Sequence, residues 1–117
     1  ALKAFEVVLL VDSNITDADF KEADKYNLYR IIQEFVNNSI KHSAGDTIEC
    51  KVNKINANII IEVKDNGVGF DLNKKSNSLG LRNIEQRARI ANIQYKLASQ
   101  IGTGTTLRID VNSKLVN

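Results

Sequence analysis

One stretch, residues 33–42, brings together three side chains that could bind a metal ion and phosphate. Glu34 and Asn38 are four residues apart, so on a helix they share a face, and Lys41 follows one turn later. An amide oxygen suits Mg²⁺, which usually takes one or two protein ligands and the rest from water and phosphates. A carboxylate can accept a proton or orient a water, and an ammonium can meet phosphate charge. The alternative is an amphipathic helix whose polar face is only solvated.

A second chemical signal is a carboxylate at the end of an apolar strand. Period-two alternation puts Asp65 on the same face as Ile59, Ile61 and Val63, and that face is expected to point into the interior. A buried carboxylate is costly unless a group donates a hydrogen bond to it. The sequence 66–69, Asn-Gly-Val-Gly, follows at once. On its own this pattern is more typical of a plain turn than of a site.

Two glycine-containing segments complete the set of chemical signals. Leu79-Gly80-Leu81 opens a predicted helix, and Gly102-Thr103-Gly104-Thr105 lies between two predicted strands. A single glycine before a helix is a weak signal, and Gly-Thr-Gly is an ordinary hairpin turn. All four features in this order and spacing are far more specific than any one of them.

The periodicity of apolar residues predicts the elements that would position these side chains. Strands are predicted at 5–11, 47–53, 58–65, 93–101 and 105–111. Helices are predicted from Asp24 or Asn27 to about 43 and at 79–92, with a helical turn within 16–24, a mobile loop at 71–77 and a loose tail from 112. The apolar face of the first helix is predicted to contain Leu28, Ile31, Ile32, Phe35, Val36 and Ile40. Hairpins at 53–58 and 101–105 imply antiparallel pairs, and two helices cannot cover both sheet faces. The predicted fold class is therefore α/β, a two-layer sandwich with helices on one face of a mixed, mostly antiparallel sheet.

Composition predicts one soluble globular domain spanning residues 1–117, with 43% hydrophobic and 26% charged residues. The net charge of +2 gives no reason to expect nucleic acid as a partner. Cys50 is the only cysteine, so no internal disulfide can form, and we expect it in the core. No apolar run approaches the roughly 18 residues of a membrane span. The chain starts abruptly at a strand without Met, so we expect a piece of a longer protein.

Together these features resemble the catalytic ATP-binding domain of sensor histidine kinases, in the GHKL ATPase superfamily with its Bergerat-type fold. The resemblance covers nearly the whole chain, from about Phe5 to Val111, and is closest to short-lid kinases. Residues 33–42 match the N box, 65–69 the first glycine box, 78–81 a reduced second glycine box and 102–105 the last Gly-Thr element. The second box departs from the family pattern, because Ser78 stands where a further glycine is common.

The resemblance implies an adenine site around Asp65. Its carboxylate would accept a hydrogen bond from the adenine amino group, so the ligand would supply the donor that a buried carboxylate needs. Thr105 or its neighbour Thr106 would support the same edge of the base. Gly67 and Gly69 would let the backbone approach the base and allow a lid, residues 70–79, to swing.

The resemblance also implies a phosphate site with Mg²⁺. Asn38 would hold the metal ion, Lys41 would lie near the phosphates, and the helix opened by Gly80 and Leu81 would direct amides at the anion. Glu34 occupies the place of the general base in ATP-hydrolysing relatives, and its role here is left open. The sole histidine, His42, belongs to the nucleotide-binding helix and is not expected to accept phosphate.

The function implied is that of an ATP-dependent histidine kinase, of which this chain is the catalytic domain only. It would transfer the γ-phosphate of ATP to a histidine on a separate dimerisation domain, for relay to a response regulator. The fragment would be a cytoplasmic monomer without membrane or nucleic-acid contacts, and the parent a homodimer, with membrane anchoring of the parent left open. Two alternatives stay open: an anti-sigma-type serine kinase, and a nucleotide-binding module without turnover.

Overall fold

A computed structural model describes residues 5–69 and 79–114 of the chain. Five strands form one sheet: β1 (Glu6–Val11), β2 (Thr47–Ile55), β3 (Asn58–Asp65), β4 (Gln94–Gln100) and β5 (Gly104–Asn112). Two α-helices, α1 (Glu22–His42) and α2 (Leu79–Ala91), and a short 3-10 helix at Asp17–Asp19 complete the described elements. No helix within the described ranges is both long and apolar enough to cross a membrane.

The strand order is β1-β2-β3-β5-β4, with β1 parallel to β2 and every other neighbouring pair antiparallel. A parallel pair needs a long crossover, and α1 provides it between β1 and β2. Residues from both helices join a single core with one face of the sheet. The predicted two-layer α/β sandwich with a mixed, mostly antiparallel sheet is therefore confirmed.

The core lies between the two helices and the inward face of the central strands. Alternation predicted this face, and it is confirmed by Ile59, Val63, Leu107 and Ile109, which are fully buried. Ile84 and Ala88 of α2 are also buried and pack against the same cluster. The inward row of β3 ends at a polar residue, because the next position on that face after Val63 is Asp65.

The first helix differs from its prediction at both ends. It begins at Glu22, where acidic side chains in the first turn favourably meet the positive end of the helix dipole. Ile40, predicted on the apolar face, is 53% exposed, whereas Ser39 is only 3% exposed. The reason is geometric: eleven residues make about three turns, so Ser39 lies almost directly along the stripe from Leu28. Ile40 is turned about 100° away from that stripe.

The β2–β3 hairpin is tighter than predicted, because its loop contains only Asn56 and Ala57. Asn56 has φ of 55°, a left-handed conformation that asparagine tolerates better than most residues. Lys54, predicted in the loop, is instead the second residue from the end of the longer β2 strand. Its amide donates to the Asp12 carboxylate at 2.9 Å, which fixes the chain after β1 beside this end of β2.

A buried ion pair holds the end of the sheet that contains this hairpin. Asp19 is fully buried, and its carboxylate accepts hydrogen bonds from Lys54 Nζ at 2.8 Å, Ser113 Oγ at 2.7 Å and the Thr16 amide at 2.9 Å. These donors, led by the Lys54 ammonium, lower the pKa of Asp19 from 3.8 to about 2. The prediction of a loose tail is therefore wrong for residues 112–114, because the Lys114 amide also donates to the Asp19 carbonyl. Residues 115–117 lie outside the described part of the chain.

Candidate functional site

Asp65, the last residue of β3, is 3% exposed and is the centre of the candidate site. Its Oδ1 accepts hydrogen bonds from the Gly67 amide at 2.9 Å and the Thr105 amide at 3.1 Å. Its Oδ2 accepts the hydroxyl of Ser39 at 2.8 Å. α1, the following turn and β5 therefore supply three donors to this carboxylate, and the hydrogen bond from an adenine amino group stays a prediction. A carboxylate has about four acceptor positions, so Oδ2 keeps one beyond these described donors.

Thr105 is predicted beside Asp65 with its neighbour Thr106 as the alternative, and strand alternation separates the two. Thr105 is buried and its amide contacts Asp65, whereas Thr106 pairs with Lys64 and Ala98 on the opposite face of the sheet. The Thr105 hydroxyl lies 2.8 Å from the hydroxyl of Ser99 on β4. A hydrogen-bonded series from Ser39 through Asp65 and Thr105 to Ser99 thus connects α1, β3, β5 and β4.

Gly67 and Gly69 are required by contacts within the protein itself. A side chain at Gly67 would collide with the backbone of Ser43, whose carbonyl also accepts the Val68 amide at 2.6 Å. Gly69 has φ of +68°, and a side chain there would collide with the Gln100 carbonyl. These glycines let the turn pack between the end of α1 and the β4–β5 turn. Protein backbone thus requires both glycines, and their predicted approach to a base stays a prediction.

Asn66 connects the same turn to the start of β2, a function that no sequence signal indicated. Its side-chain oxygen accepts the amides of Asp46 and Thr47, each at 2.9 Å, and its side-chain nitrogen donates to the Asp46 carboxylate at 2.7 Å. Its own amide donates to the Thr47 carbonyl. The turn after Asp65 is therefore held on both sides, which keeps the Gly67 amide in place at the carboxylate.

The polar residues predicted on α1 lie on its last two and a half turns, from Glu34 to His42. Glu34 and Asn38 are half-buried, and Lys41 and His42 are exposed. Asn38 immediately precedes Ser39 in the sequence, and Ser39 is the residue of α1 that donates to Asp65. Residues 5–69 and 79–114 contain no group of three or more His, Cys, Asp or Glu side chains that could hold a metal ion. One amide oxygen fits Mg²⁺ only as part of a set completed by phosphate and water, as Mg²⁺ prefers.

The second helix begins at Leu79, as predicted, with Gly80 and Leu81 in its first turn. Backbone amides in the first turn of a helix attract anions. Leu81 is partly buried. Ser78 and all of the predicted lid except Leu79 lie outside the described residues.

Comparison with known proteins adds a family match to this geometry. The family model described as histidine kinase-, DNA gyrase B-, and HSP90-like ATPase matches residues 23–114. The chain is 39% identical over 88 residues to the signal transduction histidine-protein kinase/phosphatase DegS of Bacillus subtilis, covering 72% of this chain and 23% of DegS. It is 36% identical over 86 residues to the oxygen sensor histidine kinase NreB of Staphylococcus carnosus, covering 72% of this chain and 25% of NreB. The chain thus spans about a quarter of the length of these curated relatives.

Solved structures show the same fold at low sequence identity. The histidine kinase domain of a blue-light activated histidine kinase from Erythrobacter litoralis superposes with a TM-score of 0.74 at 19% identity, covering 93% of this chain and 52% of that one. Full-length ShkA in complex with AMPPNP gives a TM-score of 0.72 at 17% identity, with 93% and 26% covered. These likenesses extend the family match to the arrangement of the strands and helices.

Proposed function

Because the chain belongs to the histidine kinase-, DNA gyrase B-, and HSP90-like ATPase family, as a histidine kinase catalytic domain, we propose that it binds Mg-ATP and transfers the γ-phosphate to a histidine on another domain. The observation that carries this proposal is Asp65: a buried carboxylate, held by three protein donors, with one acceptor position left on Oδ2. An amino group fills such a position well, since it brings a donor to a desolvated acceptor. The adenine amino group is that donor in our proposal, and Thr105 lies beside it.

The phosphates would extend from Asp65 along the end of α1 towards the start of α2. Asn38 would give its amide oxygen to Mg²⁺, and the Lys41 ammonium would meet phosphate charge. Gly80 and Leu81 would contribute first-turn amides. When bound, Mg²⁺ neutralises charge on the phosphates, and phosphoryl transfer depends mainly on such neutralisation and on positioning. Glu34, half-buried one turn before Asn38, would accept a proton or position a water.

The acceptor histidine in this proposal belongs to a dimerisation domain of a longer, homodimeric parent, whose catalytic domain works in the cytoplasm. His42 is not the acceptor, because it follows Lys41 on the nucleotide-binding helix. The phosphate would then pass to a response regulator. The anti-sigma-type serine kinase and the module without turnover are tested as outcomes of the same experiment.

The proposal is tested by incubating the purified chain with radiolabelled Mg-ATP, alone and together with a dimerisation domain from the same gene. We expect label on the dimerisation domain that is stable to alkali and labile to acid, as phosphohistidine is, and no label on the chain alone. His42→Gln should behave like the unchanged chain. Acid-stable label on a serine would favour the serine kinase, and ATP binding without any transfer would favour the module. Label retained on His42 would contradict the assignment of this residue.

Asn38→Ala should reduce the affinity for ATP in the presence of Mg²⁺ by about tenfold or more, about 1.4 kcal/mol. The affinity measured with a chelator should change little, because only the metal ligand has been removed. Titration calorimetry under both conditions measures the two affinities, and circular dichroism confirms the fold. Asn37→Ala is the matched control, since Asn37 is the exposed neighbour on α1. Equal affinities for Mg-ATP in a folded Asn38→Ala variant would contradict the metal assignment.

A further inference from the structure

Ser39 places a hydroxyl on a helix stripe that is otherwise apolar. The buried residues of α1 are Leu28, Ile31, Phe35 and Ser39, and Ser39 is 3% exposed. A buried hydroxyl without a partner is costly, and a serine within a helix often bonds back to its own helix. Here its single proton goes across the layer to Asp65 Oδ2 at 2.8 Å.

This hydrogen bond constrains the Asp65 carboxylate at Oδ2, the oxygen that the other two donors do not contact. The terminal torsion of an aspartate is broad, so a carboxylate can turn about its last bond at little cost. The amides of Gly67 and Thr105 both hold Oδ1. Among the residues that the structure describes, Ser39 is the donor to Oδ2. Donors from α1, β5 and the turn after β3 thus hold both oxygens, which fixes the plane of the carboxylate. The remaining lone pair on Oδ2 can then accept a hydrogen bond from one direction only.

We propose that Ser39 is a positioning residue that determines nucleotide specificity, because its hydroxyl holds the Asp65 carboxylate in the orientation that accepts a 6-amino group and rejects a 6-oxo group. This inference rests on the proposed binding of ATP at Asp65. An amino group meets a fixed acceptor as a donor, whereas a 6-oxo oxygen meets it acceptor to acceptor. A carboxylate free to turn would relieve that repulsion, so rigidity adds discrimination against the wrong base.

The test compares Mg-ATP with Mg-ITP, whose base has a 6-oxo group, by titration calorimetry on the unchanged chain and on Ser39→Ala. The variant should bind ATP about three- to tenfold more weakly, the size of one hydrogen bond. Its affinity for ITP should stay the same or rise, so the ratio of the two affinities falls. A loss of equal size for both nucleotides, or no loss for either, would overturn the proposal.

Ser39→Thr and Ser39→Val form a second pair that keeps the test decisive if Ser39→Ala folds poorly. The two side chains have nearly the same size and crowd the buried stripe equally, but only threonine keeps the hydroxyl. Ser39→Thr should retain the preference for ATP over ITP, and Ser39→Val should lose most of it. Equal preferences in this pair would overturn the role of Ser39. Failure of the unchanged chain to bind ATP would instead overturn the proposed function, so the two failures are distinguishable.

Discussion

Asp65→Asn is expected to weaken ATP binding about ten- to hundredfold. The substitution keeps the size of the side chain but replaces one carboxylate oxygen with an amide nitrogen, a donor. The Gly67 and Thr105 amides require the oxygen at the Oδ1 position, so the nitrogen takes the Oδ2 position. There it would face the adenine amino group donor to donor. The lost charge-assisted hydrogen bond is worth roughly 1.5–3 kcal/mol.

The same variant should remain folded with a small loss of stability. Its oxygen still accepts the two backbone amides, and its nitrogen can donate to the Ser39 hydroxyl, which turns to accept. From the sequence alone, removal of a buried and uncompensated charge could even stabilise the fold. The three donors found at Asp65 remove that expectation, since the charge is compensated.

Titration calorimetry gives the ATP affinity of Asp65→Asn, and the melting temperature without nucleotide gives its stability. Glu62→Gln is the matched control, because it removes a negative charge from the opposite face of the same strand. A small fall in the melting temperature is expected in either case, but if Asp65 were only a turn residue, the ATP affinity would stay unchanged. That result would contradict the assignment of Asp65 to the nucleotide site.

Asp19→Ala is expected to lower the melting temperature strongly, by about 10 °C. The change leaves the Lys54 ammonium, the Ser113 hydroxyl and the Thr16 amide without their shared acceptor. Removing one partner of a buried ion pair costs more than the pair contributes, because the remaining charge stays desolvated. ATP affinity at 25 °C should hardly change, since this cluster lies at the other end of β3 from Asp65.

The stabilising effect of Asp19 should also depend on pH in a defined window. Its pKa is lowered from 3.8 to about 2 in the folded chain. A carboxyl group with a lowered pKa contributes its full stability above 3.8 and loses that contribution as pH falls through about 2. The melting temperatures of Asp19→Asn and the unchanged chain should therefore converge over this range. Asp17→Asn is the control, because the side chain of Asp17 is 86% exposed. A difference that stays constant with pH would contradict this role for Asp19.

Period-two alternation predicted the inward faces of β3 and β5. One side of each strand is buried, so apolar residues recur at every second position along the strand. The same reasoning placed Asp65 correctly. A helix specifies its buried stripe less sharply, and a shift of one position exchanged Ser39 for Ile40. The polar residue in that stripe, eleven positions after Leu28, is the signal that could have identified Ser39.

Other features have no local pattern from which they could be predicted. Asp19 and Ser113 are 94 residues apart, and nothing near either residue indicates that they meet. Resemblance to a family marked Gly67 as part of a nucleotide site. The collision that a side chain would make with Ser43 depends on how α1 ends against the turn, which only the packed structure shows.

The hydrogen bond from Thr105 to Asp65 also has a consequence for the order of folding. The β2–β3 and β4–β5 hairpins each join neighbouring segments, so each can close rapidly by itself. Asp65 ends the first hairpin, and Thr105, 40 residues later, belongs to the second. Pairing of β3 with β5 closes a longer loop and brings the two together late. The proposed adenine site would therefore be absent from every partly folded form in which the hairpins are separate, and recovery of ATP binding would report the pairing of β3 with β5.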